Sequence, residues 1–146
     1  MSLNDWLKYG WLIEHRPAPE EIRDLLAVVD RDLADSQVDA LSPDWRLGIA
    51  YNAALQSATA ALAACGYRAA REAHHYRVIQ SLSHTIGAPG ALIVRLDVFR
   101  KKRNLGGYER AGAVSDQEAR EMIELARELD ATVRRWLWEH HPELLV

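Results

Sequence analysis

The residues best suited to do chemistry lie in one short basic segment. Between positions 100 and 110 there are five basic residues and one acidic residue, a local charge of +4. The whole chain has 18 Lys and Arg against 21 Asp and Glu, a net charge of −3. A basic patch in an acidic protein suits phosphate groups. We therefore predict a phosphate or nucleic-acid site whose basic residues are Arg100, Lys101, Lys102, Arg103 and Arg110.

The alternative interpretation is stronger for the two lysines than for Arg103. Lys101 and Lys102 are also explained as solvated cations near the negative end of a helix dipole. Arg103 instead continues the apolar stripe of Leu92, Leu96 and Phe99, which advances at helical spacing. It is expected along the buried face, where a guanidinium needs a carboxylate, a carbonyl or a ligand phosphate. Spacing alone leaves a structural ion pair and a phosphate ligand equally open.

The histidines and the single cysteine give weaker signals. Glu72 and His75 have the Glu-x-x-His spacing of di-iron bundles, but the sequence has no second such pair. We therefore expect no metal and no cofactor, with His74 and His75 on a solvated helix face. One cysteine, Cys65, excludes an internal disulfide framework and is expected to be an inert thiol.

The elements that position these residues are predicted to be helices. Apolar residues recur every three or four positions, and proline, glycine and serine mark the breaks between helices. The pattern predicts an all-α, up-and-down antiparallel four-helix bundle with an additional short N-terminal helix. Six helical segments are expected, one more than this bundle and its N-terminal helix account for: 4–13, 19–40, 44–65, 67–85, from 90 to about 104, and from 116 to about 141, with a loop over 104–114.

The expected organisation is a short helical arm over residues 1–16 and a bundle over residues 17–146. The break at 16–19 contains two prolines, and Trp6 and Trp11 are expected to attach the arm to the bundle. Trp138 is predicted to point away from the core. The sequence has no apolar run long enough to span a membrane and no secretory signal at its start. These features favour a cytoplasmic protein without membrane contact.

The order of several segments resembles the HEPN superfamily (higher eukaryotes and prokaryotes nucleotide-binding). The motif is Arg103-Asn104, three residues and then Tyr108, at the end of one helix and before the last long helix. The resemblance covers roughly residues 20–140. It is also carried by the segments Ala50-Tyr51-Asn52-Ala53-Ala54, Ala61-Leu62, Gly66-Tyr67-Arg68 and His74-His75-Tyr76-Arg77-Val78-Ile79.

The resemblance implies a helical bundle, often a homodimer, whose two motifs face a shared cleft. Active members are metal-independent ribonucleases, in which the motif Arg and His act on the phosphodiester and the polar residue positions them. On this basis the expected catalytic residues are Arg103, Asn104 and Tyr108. Other members are binding modules, often encoded beside a small nucleotidyltransferase.

The sequence departs from this family where the motif has its histidine. Tyr108 stands there, and tyrosine is a poor general base near neutral pH. It can still donate a hydrogen bond to phosphate or stack on a base. We therefore expect a catalytically degenerate domain that binds RNA or a nucleotide. The alternatives are a ribonuclease of a toxin-antitoxin type system, with His74, His75 or His84 as the substitute histidine, and a protein-interaction module that partners a nucleotidyltransferase.

Overall fold

Helices make up most of the chain. The computed structural model describes residues 1–108 and 112–145, and residues 105–108 through their backbone only. The helices are α1 (Leu3–Lys8), α2 (Pro19–Asp35), α3 (Pro43–Ala64), α4 (His74–Gln80), α5 (Gly90–Tyr108) and α6 (Asp116–His140). Two strands, β1 (Leu12–Glu14) and β2 (Tyr67–Ala69), and two short 3₁₀ helices, Ser81–Ser83 and Pro142–Leu145, complete the described elements. In the described part of the chain, no helix combines the length and the apolar character needed to cross a membrane.

The central element is α3, which packs against α2, α5 and α6. It begins as the sequence predicts, with the Ser42 hydroxyl accepting a hydrogen bond from the Trp45 amide and Pro43 in the first helical position. Its alanines favour helix and let neighbouring helices approach closely. The residues it buries are Leu47, Ala50, Tyr51, Ala53, Ala54, Leu55, Ser57, Ala58, Ala60, Ala61, Leu62, Ala63 and Ala64.

The helices on either side of α3 are amphipathic. In α2 the buried apolar residues are Ile22, Leu26 and Val29, at the spacing of one helix face. At the start of α6, Ser115 and Glu118 form a capping box, because each side chain accepts a hydrogen bond from the other residue's backbone amide. These local signals explain why the sequence predicts most helix starts correctly.

The prediction of helix over 4–13 and 67–85 is wrong where β1 and β2 lie. The two strands pair antiparallel, with Leu12 opposite Ala69. Gly10 and Gly66 adopt φ values of +78° and +94°, which end α1 and α3 and turn the chain into the strands. Strands of three residues are too short to produce a recognisable alternating pattern, so the sequence did not reveal them.

The predicted loop over 104–114 is also wrong in its first part, since α5 continues to Tyr108. The glycines at 106 and 107 suggest a break, but a glycine inside a helix costs only about 0.5–1 kcal/mol. As a consequence, the backbone of the whole Arg103-to-Tyr108 motif lies on one helix.

The helix α2 stops at Asp35 rather than near residue 40. The Ser36 hydroxyl donates to the Leu33 carbonyl at 2.8 Å, and Arg46 Nε of α3 donates to the Ser36 carbonyl at 2.8 Å. These two hydrogen bonds satisfy backbone carbonyls at the end of α2 that no further helical turn satisfies.

A buried polar contact joins α2 to α3. Asp32 is 5% exposed, and its carboxylate accepts a hydrogen bond from Asn52 Nδ2 at 2.6 Å. Arg31 Nε donates to the same carboxylate at 3.0 Å. A buried carboxylate is tolerated only when such donors surround it. The Asn52 amide therefore stabilises the packing of the two helices.

We expect Asn52→Ala to lower the free energy of unfolding by about 1–3 kcal/mol, because it leaves a buried carboxylate without one of its donors. Urea unfolding followed by circular dichroism measures the change. The double variant Asp32→Ala/Asn52→Ala should lose less than the sum of the two single variants. Strict additivity would show that the two side chains do not stabilise each other.

Candidate phosphate site

Arg103 lies at the centre of the candidate site. It continues the buried stripe of α5, as its spacing predicts, and its side chain is partly buried. Its Cζ lies 5.4 Å from the centre of the Tyr51 ring, a cation–π contact. Within the described residues, no carboxylate lies at ion-pair distance from this guanidinium. The structural ion pair that the sequence left open therefore has no partner in that part of the chain.

Tyr51 is the large side chain that α3 places beneath Arg103. The residue is 1% exposed, and its hydroxyl is buried with no hydrogen-bond partner among the described residues. Burial raises the pKa of Tyr51 to about 12, against the opposing effect of the Arg103 and Arg100 charges. The hydroxyl therefore stays protonated at neutral pH as a donor with no acceptor in the described structure.

His75 reaches the same cluster from α4. Its ring centre lies 6.1 Å from that of Tyr51, and the His74 ring lies 5.9 Å further on. The prediction that both histidines are solvated is correct for His74, which is exposed, and wrong for His75, which is half-buried. Burial lowers the pKa of His75 below its ordinary value, and the charges of Arg103, His74 and Arg100 add to this effect. His75 is therefore mainly neutral at pH 7.

The other cations of the basic segment that the structure describes contact carboxylates. Arg100 Nε lies 2.7 Å from Asp97, and Lys101 Nζ lies 3.5 Å from the same residue. Lys102 Nζ lies 3.1 Å from Glu118 of α6. These ion pairs are partly exposed, and such pairs contribute little to stability and can be exchanged for a ligand. Arg103 differs from these three cations because it lies over a ring instead of a carboxylate.

The other predicted site residues are only partly described. Asn104 is exposed one residue after Arg103. The side chain of Tyr108 and the whole of Arg110 lie outside the described residues, so their roles stay predictions. Sequence reasoning did not place Tyr51 or His75 beside Arg103. Residues on three different helices carry no common spacing that would have indicated the contact.

Two surface cavities lie away from this cluster. One is between α2, α6 and the C-terminal 3₁₀ helix, and the other adjoins β1 and the end of α3. Neither is lined by Arg103, Tyr51 or His75. Across the described ranges, His, Cys, Asp and Glu side chains form no group of three or more that could hold a metal ion.

Comparisons with models of known protein families, with curated proteins and with solved structures found no match. We therefore infer the chemistry of the site from its own residues alone. A partly buried guanidinium that pairs with no carboxylate of the described residues, beside a buried phenol and a neutral imidazole, is suited to hold a phosphate oxygen.

We expect Tyr51→Phe to leave the free energy of unfolding at pH 7 unchanged or slightly higher, since the lost hydroxyl has no described hydrogen-bond partner. At alkaline pH the variant should be the more stable protein. The pKa of this phenol is near 10.0 in the unfolded chain and is raised to about 12 in the folded chain. Because the unfolded state binds fewer protons in that window, wild-type stability falls there as pH rises, by on the order of 2 kcal/mol.

Urea unfolding of both proteins at about pH 8 and about pH 11 measures this difference. Tyr9→Phe, which alters an exposed tyrosine, is the control. Equal alkaline losses for wild type and Tyr51→Phe would contradict the burial of the Tyr51 hydroxyl.

Proposed function

We propose that the protein is a HEPN-like helical domain that binds RNA or a nucleotide through phosphate. The observation that carries this proposal is Arg103, partly buried over Tyr51 and without a carboxylate among the described residues. The proposal includes an up-and-down bundle of α2, α3, α5 and α6, with α1 as the additional short helix. In the described residues, α3 packs against each of the other three helices.

In this proposal Arg103 donates two parallel hydrogen bonds to phosphate oxygens, as guanidinium groups commonly do. Asn104 orients the phosphate, and Tyr108 supplies a hydroxyl or a ring. The positive charge around the site attracts the ligand over a longer range, and its sources are Arg100, Lys101, Lys102 and Arg110.

The resemblance further suggests a homodimer with two such sites facing one cleft. Val94 and Val98 support this part of the proposal, because they are 62% and 57% exposed on the outer face of α5. They lie on the same helix as Arg103, so a second copy packed on them would lie near the site. Exposed apolar side chains four residues apart on one helix are suited to such packing.

We expect Arg103→Ala to weaken the binding of labelled single-stranded RNA by roughly ten- to a hundredfold, since a charge-assisted hydrogen bond contributes about 1.5–3 kcal/mol. Titrations at two salt concentrations should show the slope of log affinity against log salt falling by about one. Arg127→Ala, which removes an exposed arginine from α6, is the control for charge. Equal losses in the two variants would mean that Arg103 acts only through the overall charge.

A second candidate function, a metal-independent ribonuclease, is favoured by His75. A neutral imidazole can accept the proton of a ribose 2′-hydroxyl as that oxygen attacks the phosphorus. Arg103 would stabilise the charge on the phosphoryl oxygens while the bond to the 5′ oxygen breaks. The leaving 5′ oxygen would take a proton from the imidazolium, which restores His75. In this candidate, His75 replaces the histidine that the motif lacks at Tyr108.

For this candidate we expect His75→Gln to abolish RNA cleavage while RNA binding stays within about twofold of wild type. His74→Gln, a change at the exposed neighbour, should retain cleavage. Because the pKa of His75 lies below its ordinary value of 6.5, the loss of activity on acidification should occur below pH 6.5. Product size on denaturing gels is the measurement, and intact RNA after incubation with excess wild-type protein would reject the ribonuclease.

A further inference from the structure

Three aromatic rings and three guanidinium groups lie in a row along the surface that leads from the candidate site to the N-terminal arm. We call this set the aromatic–arginine ladder. Its members, in spatial order, are Tyr9, Trp11, Arg77, Tyr76, Arg100 and Arg103.

Successive members of the ladder are in contact or nearly so. The rings of Tyr9 and Trp11 have centres 4.9 Å apart. The Arg77 Cζ lies 3.6 Å from the Trp11 ring and 5.6 Å from the Tyr76 ring. The Arg100 Cζ lies 5.5 Å from the centre of the same Tyr76 ring. Arg103 follows one helical turn after Arg100 on α5, so the ladder joins the candidate phosphate site without a gap.

Two of the three guanidinium groups of the ladder are available to a ligand. Neither Arg77 nor Arg103 has a carboxylate at ion-pair distance within the described ranges, whereas Arg100 between them is paired with Asp97. Two guanidinium groups that lie over rings and lack a carboxylate keep their hydrogen-bond donors for a ligand. A planar guanidinium that stacks on a ring still presents the N–H donors of its edge to a phosphate.

Two rings of the ladder belong to exposed residues. Tyr9 is 56% exposed and Tyr76 is 37% exposed. The contact of Arg77 with Trp11 also helps to hold the N-terminal arm. That arm is already held by the pairing of β1 with β2 and by buried Trp6, whose ring meets His84. The two exposed tyrosines are therefore not needed to attach it.

We propose that the aromatic–arginine ladder is a binding track for single-stranded nucleic acid. Bases stack on Tyr76 and on the pair formed by Tyr9 and Trp11, and the phosphates between them contact Arg77 and Arg103. Rings that stack on bases combined with cations along the backbone are the usual means of binding single strands without reading their sequence. The inference rests on the proposed function at Arg103 and specifies its ligand as an oligonucleotide of unpaired bases.

The test compares labelled single-stranded oligomers of two lengths, about two and about ten nucleotides, by fluorescence anisotropy. We expect wild type to bind the longer RNA at least about tenfold more tightly. Tyr76→Leu should weaken the longer RNA by roughly five- to a hundredfold and leave the dinucleotide unchanged, because it removes a stacking ring. Arg103→Ala should weaken both. Trp138→Leu, which changes a 67% exposed aromatic residue on α6, should weaken neither.

Other outcomes overturn the track. If Tyr76→Leu and Tyr9→Leu bind the longer RNA as wild type does while Arg103→Ala does not, the track is wrong and the phosphate site remains. If wild type binds no oligomer, both are wrong. Binding of a duplex as tightly as the single strand also overturns the track, because paired bases cannot stack on side chains.

Single-stranded DNA bound like RNA supports the track, and so does a preference for RNA, which adds a contact to the 2′-hydroxyl. Thermal unfolding confirms that each variant is folded, and Tyr9→Leu replaces Tyr76→Leu if that variant is not.

Discussion

The rest of the fold depends on the burial of α3 on nearly all of its sides. Small alanine side chains let α2, α5 and α6 approach this helix closely, and that close approach excludes water. Tyr51 is the largest side chain that α3 buries, and it needs more room than its alanine neighbours. At that level of α3, Arg103 of α5 lies over the ring and His75 of α4 lies beside it. One packing constraint therefore both closes the core and places the candidate site at its edge.

The electrostatic character of the site follows from the same burial. Removal from water raises the pKa of the Tyr51 hydroxyl and lowers the pKa of His75, so both groups are neutral around a charged Arg103. Elsewhere on α5, partly exposed cations contact Asp97 and Glu118 and can exchange these carboxylates for water or a ligand. The distinction between Arg103 and its neighbours is thus one of environment, since all of these side chains belong to the same basic segment.

The HEPN resemblance and the geometry agree on Arg103 and differ on the histidine. The motif expects a histidine on the same helix, where this chain has Tyr108. The structure instead places an imidazole near Arg103 from α4. The proposed ribonuclease would therefore need a geometry of its own, whereas phosphate binding needs only the guanidinium and its open donors.

The sequence by itself determined the features that depend on neighbouring residues. These include the capped starts of α3 and α6, the amphipathic face of α2, and the position of Arg103 on the buried stripe of α5. Only the tertiary structure decided the pairing of β1 with β2 and the contact of Arg103 with Tyr51 and His75. Helix caps and periodicity arise from contacts within a few residues, which a sequence displays directly. Strand pairing and side-chain clusters join distant segments, and their free energy depends on how the whole core packs.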